Sequence, residues 1–129
     1  MNITLKTVVL ECRDMPQLLS FYQNLLGWPV VYEEETFIRI QSPDTKMEIG
    51  IQYDNAYTPP VWPTQPGRQQ MMAHLDFDLP NRKSLKEAVE KALSLGAEMA
   101  AEQYGCGEWV TLLDPAGHPF CFVVWEQSA

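Results

Sequence analysis

The chain has 129 residues, 46% of them hydrophobic and 20% charged, the size and composition of one globular domain with a real core. A formal net charge of −8 excludes a nucleic-acid partner, because phosphate binding needs a basic surface. No run approaches the roughly 18 consecutive apolar residues of a membrane span, no leader pattern is visible, and three cysteines without a Cys-x-x-Cys pair supply neither disulfide framework nor zinc motif, so a reducing cytoplasm is expected.

Residues 7–12 alternate as a strand does: Val8, Leu10 and Cys12 face one way, and Thr7, Val9 and Glu11 the other. Asp14 then reads as a helix cap with Gln17 as its returning partner, and Pro16 sits in the first turn where its missing N–H costs nothing. Leu18, Leu19, Tyr22, Leu25 and Leu26 recur at helical spacing, and Gly27 ends the helix with a left-handed turn. Three strand-like runs follow at 30–32, 37–40 and 47–53. Residues 54–70 carry Pro59, Pro60, Pro63 and Pro66, which exclude a helix and a central strand. That segment reads as a bridge between halves, with Tyr57 and Trp62 available to line a cleft mouth.

The pattern then returns. His74, Asp76 and Asp78 alternate with Leu75, Phe77 and Leu79. Ser84-Leu-Lys-Glu87 has the form of a capping box, and Leu85, Ala88, Val89, Ala92 and Leu95 follow at helical spacing up to Gly96. Further strands are expected at 98–102, 109–113 and 120–125, the last two joined by an Asp114-Pro-Ala-Gly117 turn. The last strand is apolar on both faces, so both are expected to be covered, which favours a cup over a flat, solvated sheet. The halves are module 1 at about 1–54, a linker at about 55–70, and module 2 at about 71–126, within one domain covering 1–129.

Taken together, Val9-Leu-Glu-Cys-Arg-Asp14, Phe21 to Trp28, His74-Leu-Asp-Phe-Asp-Leu79, Leu95-Gly-Ala97 and Trp109 to Cys121 resemble the glyoxalase/bleomycin-resistance/dioxygenase superfamily, the vicinal oxygen chelate proteins, in its glyoxalase-like branch. The resemblance implies an α+β fold of two βαβββ modules. Their curved mixed sheets make a cup with helices outside, usually in a homodimer. It also implies a divalent metal held by one His, Gln or Glu from each of four strands. Carried over position by position, those ligands fall on Thr7, near Glu48 with Gln52 on the same side of its strand, on His74, and on Cys121.

Threonine is a weak neutral donor and cysteine suits soft metals, so two of the four positions are poor for Mg, Mn or Fe. No cofactor is therefore expected. A divalent metal, if present, would use His74 and Glu48, with Glu11 or Asp76 as substitutes. The candidate ligand-binding residues are Thr7, Glu11, Glu48, Gln52, His74, Asp76, Trp109 and Cys121. Each has a plainer reading: a hydrogen-bonding histidine, a solvated acidic row, a cysteine serving as a small core residue, aromatic residues as core. His118 is expected in solvent, and Cys106 to be exposed but without an adjacent base. Three functions stay open. One is a cytoplasmic homodimer binding a small planar or cationic organic molecule. Another is a metal-dependent lyase, isomerase or dioxygenase, and the third a scaffold dimer.

Overall fold

The structure is a computed structural model and describes residues 1–124, so the Trp125 end of the expected last strand lies outside the described residues. The chain divides into two compact units between Tyr57 and Thr58, and each is a βαβββ module.

The first unit runs β1 (Thr7–Cys12), α1 (Met15–Leu26), β2 (Val30–Glu34), β3 (Phe37–Gln41) and β4 (Glu48–Tyr53). Its sheet has the order β1-β4-β3-β2, with β1 parallel to β4 and the other pairs antiparallel. The Asp14 side chain accepts from the Gln17 N–H at 3.0 Å, and Gly27 closes α1 at φ 71°, where a side chain would strain. Leu18, Phe21, Tyr22 and Leu25 are the buried stripe of α1, which packs on β4. Ile38, Ile40, Ile49 and Ile51 are buried with them, and the β3–β4 register pairs Ile38 with Ile51 and Ile40 with Ile49. The alternate positions of the same strands therefore form the opposite, polar face.

The second unit repeats this plan with β5 (Leu75–Asp78), α2 (Arg82–Ser94), β6 (Glu98–Met99), β7 (Trp109–Leu113) and β8 (Pro119–Val123) in the order β5-β8-β7-β6. Again the first and last strands are parallel and the rest antiparallel. Chain repetition is thus repetition of topology. Helix α2 begins earlier than the Ser84 box predicts: Asn81 is the cap, its side chain accepting from the Ser84 N–H at 2.8 Å. Asparagine caps as well as serine does, and Ser84 serves as the backbone donor instead. All of β8 is buried, as its two apolar faces demand. Phe77, Phe120 and Phe122 form an edge-packed aromatic cluster on one of those faces.

Residues 58–74 belong to the second unit and contain neither helix nor strand. Trp62 fastens this segment: its indole N–H donates to the Glu102 carbonyl at 3.2 Å, and its ring lies edge-on to His74 and Tyr104.

Candidate functional site

The polar face of the first sheet centres on Glu48. Register places Thr7, Glu48 and Gln41 in one row across β1, β4 and β3, with Arg39 one row along on the same side. Only 1% of the Glu48 side chain is exposed, so its charge must be met locally. Thr7 Oγ1 donates to Glu48 Oε1 at 2.9 Å, Arg39 Nη1 to the same oxygen at 2.9 Å, and Gln41 Nε2 to Oε2 at 3.0 Å. Lys6 Nζ adds a cation 3.6 Å from Oε2. Burial pushes this carboxyl up, but the Thr7 hydroxyl, the Arg39 guanidinium and the Lys6 ammonium outweigh it and hold it below its ordinary value. Arg39 is itself fixed from the other side, its guanidinium 4.8 Å from the Tyr32 ring centroid.

Further along this face Glu11 and Gln52 are register partners, both exposed. Gly50 sits between the rows where a Cβ would come 2.7 Å from the Phe37 ring, so the close approach of Phe37 requires glycine or movement of that ring.

In the second unit His74 Nε2 lies 3.1 Å from Asp76 Oδ1, with about a third of each side chain exposed. Asp76 pairs with Cys121 across β5 and β8, and Cys121 with Thr111 across β8 and β7. The buried Cys121 sulfur is 3.3 Å from Thr111 Oγ1. Burial raises the Cys121 thiol pKa, the Asp76 carboxylate adds to the rise, and the Thr111 hydroxyl opposes it. A ligand atom each from His74, Asp76 and Cys121 all lie within 4.8 Å of one another. Trp109 stands two residues before Thr111 on β7, half-buried, with its ring and carbonyl close against Gly105.

The sequence-predicted residues therefore gather into separate groups: Thr7 with Glu48, Glu11 beside Gln52, and His74 with Asp76 and Cys121. Arg39, Gln41, Lys6 and Thr111 were not among them. The strand Phe37-Ile38-Arg39-Ile40-Gln41 did carry a signal, since alternation puts Arg39 and Gln41 on the polar row. Nothing local marks which row across the sheet they meet. His118 is half-buried rather than solvated, because its backbone N–H donates to Asp114 Oδ1 and its carbonyl accepts from the Asp114 N–H.

The profile of the glyoxalase-like domain matches residues 7–123. The chain belongs to this family. Solved structures of glyoxalase/bleomycin resistance/dioxygenase proteins share its fold. A glyoxalase/bleomycin resistance protein/dioxygenase family enzyme from Burkholderia phytofirmans PsJN has a TM-score of 0.72 at 18% identity, covering 93% of this chain and 97% of that one. The fosfomycin resistance protein FosX from Listeria monocytogenes has a TM-score of 0.71 at 17% identity, covering 96% and 93%. A mutant of FosX has been crystallised with Mn(II) and 1S,2S-dihydroxypropylphosphonic acid. No curated protein sequence matches.

A metal of that kind is poorly matched by this glyoxalase-like chain at the positions the resemblance gives. The Glu48 oxygens accept from three side chains and lie beside two cationic groups, which would repel a third cation. The Thr7 hydroxyl is already donating to Glu48, and the Cys121 thiol is a soft donor. Among the described residues, no helix is long and apolar enough to cross a membrane.

Proposed function

We propose that this glyoxalase-like protein binds a small organic molecule without the hard-cation cage that four strand ligands would make, acting as a cytoplasmic homodimer. The observation that carries the reading is the state of Glu48. A carboxylate that is to hold Mn(II) must offer its lone pairs to the ion, whereas here Arg39 and Lys6 supply the positive charge from within the chain. The polar sheet faces remain suited to a ligand: Arg39 over Tyr32 in the first module, and the part-exposed His74 and Asp76 with half-buried Trp109 in the second. The fosfomycin resistance protein among the solved structures of this fold supports a small organic molecule as the ligand class. The alternative, a metal-dependent lyase, isomerase or dioxygenase, is favoured by His74 at one ligand position and weakened by the compensated Glu48.

The test is a thermal-shift screen of chelator-treated full-length protein against metabolites and aromatic antibiotics. A true ligand at a hundred times its Kd stabilises by about 2.7 kcal/mol. The expected result is stabilisation in chelator by at least one compound. Stabilisation only when Mn(II) is added, or by none of the compounds, would reject the reading.

A further inference from the structure

The polar face of the first sheet carries a local excess of positive charge, on a chain whose formal net charge is −8. One carboxylate, Glu48, is met by two cations, Arg39 Nη1 at 2.9 Å and Lys6 Nζ at 3.6 Å. A single cation balances a single buried carboxylate, and here the Thr7 hydroxyl and the Gln41 amide donate to it as well. One positive charge is left over. It is within reach of solvent, since 27% of the Arg39 side chain and 59% of the Lys6 side chain are exposed.

Arg39 is the better placed of the two to use that charge. Among the described residues its guanidinium donates only through Nη1, so the rest of its fork of N–H donors is open. Glu48 holds one edge of the guanidinium, and the Tyr32 ring centroid lies 4.8 Å from its carbon. A fork fixed at two places has little rotamer freedom left to lose on binding, and it matches a carboxylate with two parallel hydrogen bonds.

Beside the guanidinium the face is apolar. Register sets Val9, Gly50, Arg39 and Tyr32 in one row across β1, β4, β3 and β2. Val9 is 44% exposed, and the Phe37 ring leans over the bare backbone of Gly50, 6.1 Å from the Tyr32 ring. The next row, about 6.5 Å farther along the strands, holds Glu11, Gln52, Phe37 and Glu34. Glu34 accepts from the Tyr32 hydroxyl at 2.7 Å. The face therefore runs from cationic to acidic across an apolar middle, which fixes an anionic group at the Arg39 end and repels a second one at the far end.

We propose that Arg39, reinforced by the charge of Lys6, binds the single carboxylate of a small organic acid whose apolar body lies over Gly50 between Val9 and Phe37. The proposal rests on the ligand-binding reading above and adds the sign of the ligand's charge: an acid, where the sequence left a cation open.

The experiment is calorimetric titration of the chelator-treated full-length protein with benzoate, phenylacetate and phenylpropionate. Each is run beside its primary amide and the corresponding amine, with terephthalate as a dianion. At least one monocarboxylate is expected to bind, about tenfold or more tighter than its amide, with the amines and terephthalate weaker still. Arg39→Lys keeps a cation beside Glu48 but loses the fork, and should weaken the acid about tenfold. Lys6→Gln, at an exposed position that leaves packing intact, should weaken it about threefold and leave the amide unchanged. Amides or amines binding as tightly as the acids would overturn this proposal and leave the ligand-binding reading standing. So would acid binding that neither variant alters. Binding by none of these compounds would also overturn it, and only an equally empty metabolite screen would take the wider reading down with it.

Discussion

Glu48 shows how much one buried carboxylate demands of its neighbours. With its side chain almost wholly buried, the charge is tolerable only because Thr7, Arg39, Gln41 and Lys6 converge on it. Arg39→Met is expected to lower stability by about 1–3 kcal/mol in urea unfolding at neutral pH. Loss of a sole partner would cost more, but Thr7, Gln41 and Lys6 remain. Stability unchanged in Arg39→Met would mean that the guanidinium is not the compensating charge. The pH dependence follows from the lowered folded-state value of Glu48. Such a group stabilises above its unfolded pKa, and the contribution is lost as pH falls through the lower folded value. Between about pH 5 and pH 3, wild type should therefore lose stability more steeply than Glu48→Gln. Parallel curves for the two proteins would contradict the assignment.

Helices and turns were the most legible elements, because their signals are local. Asp14, Pro16 and Gly27 each act within one turn of where they stand, and α1 begins and ends where they direct. In α2 two capping residues competed within four positions, Asn81 and Ser84, and only the backbone geometry decided between them. Asn81→Ala is expected to cost about 1 kcal/mol, read as a fall of a few degrees in Tm. Ser84→Ala should stay within about 0.5 kcal/mol of wild type, since its backbone N–H is what the cap uses. The opposite ranking would restore the later helix start. His74 shows the limit of alternation: it continues the polar row of β5 in sequence, yet the strand itself starts at Leu75. Its place is set by Asp76 and by Trp62, which arrives from the proline-rich segment.

At the scale of the molecule, the duplication is visible both in sequence and in the identical strand order of the two sheets. Burial sorts the three cysteines in a way that solution chemistry can read. Cys12 and Cys121 are buried and Cys106 is exposed at a turn with φ 49°. A thiol reagent should label one cysteine quickly in the native protein and the other two only on unfolding, and Cys106→Ser should remove the fast phase. Rapid labelling of two thiols in Cys106→Ser would show that the strands holding Cys12 and Cys121 open readily.

Periodicity, caps and turn residues determined the α+β class, the two βαβββ modules and the polar rows of β1, β3, β4 and β5, because these depend on neighbours in the chain. Which rows meet was decided only by strand register, since the contacts that define the site join residues far apart in sequence. Thr7 and Arg39 meet on Glu48, and Asp76 and Thr111 flank Cys121, only once β4 lies between β1 and β3 and β8 between β5 and β7. A one-residue slip in either pairing would turn those side chains to opposite faces, so the chemistry of the site is a property of the folded sheets.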